Sequence, residues 1–536
     1  MISRRTFGLT ALAAATPLAV PGTATAATAA ASAAGGTTDV STVSADRGIA
    51  LPKGMALRSL DVIPSGNLTS DADRVLVAAL QGLVAKASSE HIFIDEGGPG
   101  AIWKDFLHTT YGVLLDDSRP TWPALLKHFR QHLAGYVLYD MAGNPPSVNV
   151  ASSLSGPLRA LPVDVSQEAQ VRALGLGRQI LDVTGRTEKW AYARYGRLFS
   201  RTTAAELNPS VLYHQRDYIA MTDAFTFYDG VTDWRAQVLG GLKPGADLMG
   251  YGNNEYDMVA QASQLGVTSI PSDLAPNLSA LSAVHGTEGL TQKPEAAPET
   301  RNKHYVSFVI SDGDNVAWNL WGLQQYFSNP DRGRFDIGYG ISPSLVDLAP
   351  AAMRWYYENA SRGAANDSFI AGPSGSGYVF PAKMPPADLD LFTDRLNAYM
   401  AAGDLRISEI LDDQDSFDRT DVWSSYLRQP NIDALFFFGY GDTDRISGRI
   451  NWVDGKPVIA QRDVLWAGLT EEPDLIRNIN SRPAAPTSAD GYTLVLVHCW
   501  TKSLSDIRTV VDGLGPDVEV VTPKAFTELI VRNGAR

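Results

Sequence analysis

The second half of the chain alternates short apolar runs with helix-like segments, and this alternation limits the fold more than any other feature of the sequence. The runs are Asp247–Tyr251, Val267–Ile270, Tyr305–Ser311, Phe335–Ile341, Ser368–Ala371, Leu405–Leu411, Ala434–Phe438, Tyr492–His498 and Val518–Val521. Most precede a segment with helical apolar spacing, which is typical of parallel β-α units. Uninterrupted Val, Ile and Phe, as in Val306–Ile310, suit strands buried on both faces. The pattern predicts a TIM-like (β/α) barrel, with a doubly wound open sheet as the alternative.

A smaller α/β domain is predicted ahead of the barrel, over residues 51–241. Asp71–Ala87 has the helical period, with Ser70 as its N-cap. Two strand candidates, His91–Asp95 and Gly135–Asp140, alternate with helices and favour a parallel or mixed sheet. The sequence thus predicts an α/β protein of two domains, the second covering residues 245–536.

The first 26 residues have the features of an export signal. Arg4-Arg5 gives a twin-arginine pattern, a weakly apolar stretch follows, and Ala24–Ala26 offers a small-residue cleavage site. A Sec-type signal is the alternative, because Gly8-Leu9 departs from the usual twin-arginine pattern. Residues 27–50, rich in Ala, Thr, Ser and Gly, are predicted to be a linker. We therefore expect a secreted protein.

Charge and cysteine content narrow the range of partners. The formal net charge of −14 would become −16 once Arg4 and Arg5 leave with the signal. Such a protein has no electrostatic attraction to nucleic acid or to an anionic membrane surface, so neither is an expected partner. Beyond the signal, no segment approaches the ~20 apolar residues that span a bilayer, so membrane insertion is not expected. The single cysteine, Cys499, excludes an intrachain disulfide and is predicted to be a buried thiol, while the oligomeric state stays open.

In either architecture, functional residues gather at the carboxyl ends of the strands. These ends are rich in carboxylates, amides and aromatic rings, which bind sugar hydroxyls and stack on sugar faces. Carbohydrate is therefore the expected substrate. The predicted catalytic residues are Asp312, Asp314, Asp412 and Asp413, and the predicted substrate-binding residues are Glu255, Asn315, Tyr378, Phe380, Tyr440, Asp442, Arg462, His498 and Trp500.

Several of these residues also have structural explanations. Asn315 is a natural N-cap for the following helix, residues 412–418 also resemble a solvated acidic loop, and His498 suits a hydrogen-bonded position within a sheet. No HExxH motif, paired-cysteine site or GxSxG elbow is present, and the acidic loop lacks the glycine and glutamate of an EF-hand. No cofactor or metal site is therefore predicted, although a divalent cation held by Asp312, Asp314 and Asn315 remains an alternative.

The stretch Gly375–Pro381, GSGYVFP, resembles the signature of the GxGYxYP family, with Phe380 in place of the second tyrosine. The resemblance extends over about residues 300–533, and the preceding α/β region is similar to the family's N-terminal domain. It implies a TIM-barrel-like C-terminal domain and a glycosidase activity. The change to Phe380 removes a hydroxyl but leaves a ring that can stack. Other segments that carry the resemblance are Phe308–Asn315, Gly455–Ile459, Arg462, Leu465-Trp466, Val497-His498 and Val520–Pro523.

The sequence thus predicts an exported glycoside hydrolase that acts on a poly- or oligosaccharide. Glycoside hydrolysis needs a carboxylic acid and a carboxylate that flank the scissile bond, and two neighbours from one loop would lie on the same side. The pair is therefore expected to take one residue from Asp312 and Asp314 and one from Asp412 and Asp413. The more buried member should be the acid, because burial raises the pKa of a carboxyl group. The next candidates are Glu255, Glu409 and Asp442.

Two other classes of protein fit the same pattern. One is a carbohydrate-binding protein without catalysis, and the other is a hydrolase that depends on a divalent metal ion. Turnover would exclude the first, and turnover that survives a chelator would exclude the second.

Overall fold

The computed structural model describes residues 51–284, 290–295, 298–311, 315–440 and 444–536. The predicted signal and linker lie outside these ranges, as do Asp312, Asp314 and Asp442. In the described part, the chain is an α/β protein whose strands pair in parallel, apart from one antiparallel pair of strands. None of the described helices combines the length and the apolar character needed to cross a bilayer.

Ten short strands form three parallel sheets in the described part of the N-terminal half. The strands are β1 (Ser59–Pro64), β2 (Glu90–Asp95), β3 (Leu114–Asp116), β4 (Gly135–Tyr139), β5 (Ala160–Asp164), β6 (Gln179–Asp182), β7 (Thr203–Glu206), β8 (Phe225–Phe227), β9 (Asp247–Gly250) and β10 (Thr268–Ile270). The sheet orders are β2-β1-β3, β5-β4-β6 and β10-β9-β7-β8. Both strand candidates of the smaller domain are confirmed, as β2 and β4.

Helices cover these three sheets and join them. They are α1 (Asp71–Ala85), α2 (Gly98–Tyr111), α3 (Trp122–Phe129), α4 (Ser147–Leu158), α5 (Glu168–Ala173), α6 (Glu188–Tyr195), α7 (Arg216–Thr222), α8 (Asp233–Gly240), α9 (Glu255–Gln264) and α10 (Leu278–Leu281). The predicted cap of α1 is confirmed, because the Ser70 hydroxyl accepts the N–H of Asp73 and the Asp73 carboxylate accepts the N–H of Ser70. Helix α1 is almost wholly buried against α7, β2 and β5, so it links two of the sheets.

The described part of the C-terminal half contains one sheet of ten strands. They are β11 (His304–Ser311), β12 (Ile337–Ile341), β13 (Asp367–Ala371), β14 (Ile407–Asp413), β15 (Ala434–Tyr440), β16 (Ile450–Val453), β17 (Lys456–Ala460), β18 (Asp463–Leu465), β19 (Tyr492–His498) and β20 (Val518–Val520). The helices between them are α11 (Asn315–Trp321), α12 (Gln324–Phe327), α13 (Leu345–Leu348), α14 (Pro350–Asn359), α15 (Pro386–Ala402), α16 (Thr420–Leu427), α17 (Glu472–Asn480), α18 (Leu504–Asp512) and α19 (Pro523–Asn533).

This sheet curls into a half-barrel. Its order is β16-β17-β15-β14-β13-β12-β11-β19-β18, and β20 pairs with β11 beside that path. The segment between β17 and β18 contacts both flanks, because the N–H of Gln461 donates to Phe437 on β15 and the N–H of Arg462 donates to Leu494 on β19. The carboxyl ends of β11, β13, β14, β15 and β19 consequently face one shared edge.

The prediction of a TIM-like barrel is wrong. A TIM barrel closes eight parallel strands, each followed by a helix. Here β16 runs antiparallel to β17, and β20 pairs beside the path of the curled sheet. The runs predicted as the first two barrel strands are β9 and β10, and they belong to an N-terminal sheet in which β9 pairs with β7 and β10 pairs with β9. The apolar pattern identified buried parallel strands, but it carries no information about which strand each one pairs with.

The concave face of the curled sheet is filled from below by α19. Phe526 of this helix contacts the rings of Phe436 and Tyr492, and α19 also packs against β11, β13 and β17. Leu411 on β14 and Phe438 on β15 belong to the same apolar cluster. Because successive side chains of a strand alternate between faces, the residues two positions beyond them, Asp413 and Tyr440, point to the same concave side at the carboxyl edge.

Candidate active site

The glycine-rich loop after β13 bridges the two halves of the protein. The N–H of Tyr378 donates to the carbonyl of Ser269 beside β10, at a distance of 2.7 Å. Gly377 makes this approach possible, since a Cβ atom at that position would lie 2.7 Å from the Ser269 oxygen and 2.4 Å from a methyl carbon of Thr268. Gly375 has φ +129°, which other residues rarely adopt. The loop can therefore dock on β10 because of its glycines.

Both aromatic residues of this loop are buried. Tyr378 and Phe380 have no accessible surface, and the Tyr378 hydroxyl donates to Glu255 Oε1 at 2.9 Å. The Phe380 ring contacts Tyr256 and Tyr440, with centroids 5.1 and 5.8 Å away. Neither ring offers a face to solvent in this conformation, so their role in stacking on sugar stays a prediction. In the structure, both rings pack between α9, the glycine-rich loop and β15.

Asp413 is the carboxylate that these elements surround. The Tyr256 hydroxyl lies 2.9 Å from both of its oxygens, and Lys383 Nζ forms an ion pair with Oδ2. Burial alone would lower the pKa of Lys383, but its hydrogen bonds to Asp413 and Tyr256 raise it above the ordinary value. Asp413 keeps about a third of its side chain accessible. It is therefore a fixed carboxylate on the concave side that a substrate could reach.

Asp412 points to the opposite face of β14 and is fully buried. Its Oδ2 accepts the N–H of Ala382 at 2.8 Å, and its Oδ1 accepts the N–H of Asp413 at 2.7 Å. Burial raises the pKa of Asp412 to about 7, against the lowering effect of these two hydrogen bonds. Asp412 thus holds the backbone next to Lys383 and the backbone of Asp413 at once.

Glu409 lies deeper on the face that carries Asp413. It is buried, and a Cβ atom placed on Gly340 would be 3.3 Å from Glu409 Oε2 and 2.3 Å from Ser311 Oγ. The missing side chain at Gly340 therefore leaves room for the glutamate and the serine to meet. Along the strand, the Cα atoms of Glu409 and Asp413 are separated by roughly 13 Å at ~3.3 Å per residue. Glu409 belongs to the floor of the site and Asp413 to its rim.

The start of α11 contacts the same loop. Ser311 ends this strand in register with His498, and the Asn315 side chain donates to the Pro373 carbonyl at 2.6 Å. Asn315 is also the first residue of α11. The predicted catalytic residues Asp312 and Asp314 lie outside the described residues, so the structure gives no distance for them. The contact of Asn315 with Pro373 brings the start of α11 to the loop that leads to Lys383, the ion-pair partner of Asp413.

His498 stands at the end of β19 with an aromatic partner. The Trp466 ring stacks on it with centroids 3.6 Å apart and planes 4° from parallel, and His498 Nδ1 lies 2.8 Å from the Thr501 hydroxyl. Trp500, also predicted to bind substrate, is half-buried and packs against Trp318. These rings form the flank of the carboxyl edge opposite Asp413.

Arg462 has its contacts elsewhere. Its guanidinium donates to the carbonyls of Gly448 and Ala489 and lies 3.6 Å from Asp490. Burial and the nearby Arg482 lower its pKa. Among the described contacts of Arg462, none joins it to Asp413 or to the glycine-rich loop. Its predicted role in substrate binding stays a prediction.

In the described ranges, only one group of acidic and histidine side chains is arranged to hold a metal ion. It is formed by Asp61, Glu90 and His128 on the first N-terminal sheet, and Arg119 already binds both carboxylates. This group lies on a different sheet from the candidate active site. The alternative of a cation held by Asp312, Asp314 and Asn315 stays a prediction, because two of these residues lie outside the described part.

Sequence reasoning missed three residues of the site. Tyr256 follows the predicted Glu255, but a helix start gives no sign of which of two neighbours turns inward. Lys383 lies just beyond the motif, where nothing in the local pattern connects it with β14. Trp466 belonged to a segment similar to the family, yet its stacking on His498 depends on two strands that are distant in sequence.

The fold and the site define an α/β protein with a fixed, partly accessible carboxylate, Asp413, at the carboxyl edge of a curled sheet. The family model described as "GxGYxYP putative glycoside hydrolase C-terminal domain" matches residues 302–531. Three N-terminal models of the same family match residues 59–131, 133–198 and 201–283 as its first, second and third domains. The chain belongs to the GxGYxYP family, as the motif indicated.

A solved structure is similar over nearly the whole chain. It is the crystal structure of a "putative hydrolase" from Bacteroides thetaiotaomicron VPI-5482, with 44% sequence identity and a TM-score of 0.86. The similarity covers 91% of this chain and 97% of that one. No curated protein matches this chain.

Proposed function

We propose that the protein is an exported glycoside hydrolase that cleaves a poly- or oligosaccharide at the carboxyl edge of the curled sheet. The observation that carries this proposal is the Asp413 carboxylate, which is accessible on the concave side and held by Lys383 and Tyr256. The family's description as putative glycoside hydrolases supports the class of reaction. The twin-arginine pattern at Arg4-Arg5 supports export.

Asp413 is the residue we assign as nucleophile or base. Its carboxylate is fixed from two sides, so it need not reorganise when a substrate arrives. Lys383 and Tyr256 act as positioning residues, because they touch the carboxylate and not the bond to be cleaved. Asp412 supports the same arrangement from the other face of β14, through the backbone of Asp413 and of Ala382.

The acid is assigned to the turn after β11, at Asp312 or Asp314. The support is the contact of Asn315, the next described residue along the chain, with Pro373 in the loop that also leads to Lys383. A carboxylic acid there would protonate the leaving oxygen while Asp413 attacks the anomeric carbon or activates water. Two carboxyl groups about 5–5.5 Å apart would give retention, and about 6.5–9.5 Å would give inversion.

The test is hydrolysis of a panel of glycosides and polysaccharides by the purified protein and by an Asp413→Asn variant. We expect the variant to lose at least about 100-fold in kcat, the lower range for removal of an acid or base group. Asp415→Asn is the matched control, since this nearby aspartate is exposed and pairs only with Arg445 among the described residues. Wild-type protein that cleaves nothing on the panel, or an Asp413→Asn variant with full turnover, would reject the proposal.

A further inference from the structure

Three tryptophans beside the candidate active site have no part in the proposed mechanism. All eleven tryptophans lie in the described part of the chain, and Trp321 alone among them is exposed, with 45% of its surface accessible. Its ring lies against Trp500, with centroids 6.2 Å apart, and Trp500 in turn lies 4.9 Å from Trp318. An exposed indole supported by two others offers a rigid apolar face to a ligand.

This cluster begins at the site itself. Helix α11 starts at Asn315, whose side chain contacts the glycine-rich loop, and Trp321 is the last residue of that helix. At 1.5 Å of rise per residue, the two positions are roughly 9 Å apart along the axis. Trp500 follows two residues after His498, which ends β19. The tryptophans therefore lead outward from the carboxyl edge.

A cavity of about 330 Å³ adjoins Trp500. Its walls include Gln325 in α12 and Asn329 just after that helix, and Thr501 and Lys502 after β19. This volume is at the lower end of the range for small-molecule sites. The indole N–H of Trp500 is buried and has no acceptor among the described residues, so a ligand hydroxyl or a water molecule that supplied one would remove an energetic cost.

The chemistry of the cavity favours an uncharged ligand. Lys502 Nζ is already paired with Glu471 and with Glu472, the latter at 2.7 Å. Asp506 accepts hydrogen bonds from Ser503 at the start of α18. The exposed Gln325 side-chain amide makes no hydrogen bond to any described residue and can bind a hydroxyl group. Charged groups are thus occupied, whereas amides and rings are left for binding.

We propose that Trp321, Trp500 and this cavity form a subsite for one neutral sugar ring of an extended glycan. The ring would stack on Trp321 while its hydroxyls bind the amides of the cavity. This inference rests on the proposed function and deepens it, because it assigns the enzyme to oligo- and polysaccharide chains rather than to single terminal sugars.

The test compares wild type and Trp321→Ala on neutral oligosaccharides of graded length, from disaccharide to hexasaccharide, and on aryl monosaccharide glycosides. We expect KM of the variant to rise about tenfold for the longest substrates, with kcat unchanged and no effect on the aryl glycosides. Trp321→Phe keeps a ring and should recover most of the affinity. Leu114→Ala, another exposed apolar residue but on the first N-terminal sheet, is the control.

Glycan binding by the Asp413→Asn variant separates this inference from the proposed function. It is measured by affinity electrophoresis with the same glycans. If adding Trp321→Ala to the Asp413→Asn variant abolishes glycan binding, the subsite is supported whether or not the wild type cleaves the glycan. Turnover by the wild type with identical KM values for Trp321→Ala at every length would overturn the subsite and leave the function standing. A change in oligomeric state on sedimentation, with sugar binding unaltered, would overturn it in favour of an interface between copies.

Discussion

Glu206 and Asp412 occupy equivalent positions in two different sheets, and their surroundings differ. Each lies at the carboxyl end of a parallel strand, β7 in the N-terminal half and β14 in the curled sheet, and each is buried. Glu206 Oε2 accepts two hydrogen bonds from the Arg235 guanidinium, at 3.0 and 2.8 Å. Among the described residues, Asp412 accepts hydrogen bonds from two backbone N–H groups and from no cation. The carboxyl end of a strand therefore holds a paired charge in one sheet and, within the described part of the chain, a carboxyl bound by backbone groups in the other.

The difference has consequences for what each carboxyl can do. Burial raises the pKa of Glu206, and Arg235 opposes that rise, so the pair behaves as a unit of the core. Asp412 has no such partner among the described residues, and its pKa of about 7 lies where a proton can be exchanged near neutral pH. Carboxyl groups of this second kind collect at functional sites. Because Asp412 also lies next to the accessible Asp413, we place the chemistry at the curled sheet.

The largest effect should come from breaking the paired charge. Arg235→Leu would leave Glu206 buried without its cation, and we expect a loss of about 3–5 kcal/mol in unfolding free energy. Urea denaturation at pH 7 measures it. Arg406→Leu is the control, because Arg406 also binds its partner Asp433 through two hydrogen bonds, one to each oxygen, but both side chains are nearly half exposed, so the loss should stay below about 1 kcal/mol. Equal losses in the two variants would remove the distinction between core and surface pairs.

The second-largest effect should be a difference in how the unfolding free energy depends on pH. In the folded chain the pKa of Asp412 is about 7, against an ordinary value of 3.8, so the folded state holds a proton that the unfolded state releases. The resulting stabilisation is complete below about pH 4 and is lost as the pH rises to 7. Asn cannot titrate, so the unfolding free energy of wild type relative to Asp412→Asn should fall by about 2 kcal/mol between pH 5 and pH 7.

Urea denaturation of wild type and Asp412→Asn across that pH range measures the two unfolding free energies. The other titrating groups contribute equally to both proteins, so their effect cancels when one free energy is subtracted from the other. Glu206→Gln provides the contrast, since the arginine partner keeps that carboxyl in a fixed ion pair. Parallel pH profiles for wild type and Asp412→Asn would mean that Asp412 is ionised throughout. In that case Glu206 and Asp412 would differ in their hydrogen-bond partners but not in their protonation state.

The elements of the fold were largely predictable from the sequence, and their arrangement was not. Runs such as Val306–Ile310 and the N-cap at Ser70 are local signals, and both correspond to observed elements. Strand pairing is not local. The runs that became β9 and β10 look no different from those of the curled sheet, yet β9 pairs with β7 and β10 pairs with β9 in an N-terminal sheet, where α9 and the glycine-rich loop contact β10.

The site was predictable as a region but not as a set of contacts. The rule that strand ends carry function brought Asp412, Asp413 and His498 to one edge. It could not tell which of the two adjacent aspartates faces the concave side, because that depends on which face of β14 packs into the cluster that contains Leu411. Lys383 and Tyr256 come from segments more than a hundred residues apart, and only the folded chain brings them to Asp413.

The smallest effect should come from the Tyr256 hydroxyl, and it separates a positioning role from a structural one. Tyr256→Phe keeps the ring that packs on Phe380 and Tyr440 and removes only the donor that lies 2.9 Å from both oxygens of Asp413. If Asp413 is the working carboxylate, kcat should fall about tenfold, the value of one hydrogen bond to a charged group. The melting temperature should barely change, because the partly exposed carboxylate can bind water instead. Tyr228→Phe, which removes a hydroxyl bonded to Asn253, should alter neither quantity. A variant that keeps its kcat but melts earlier would place Asp413 with Glu206, among the carboxyl groups that hold the fold together.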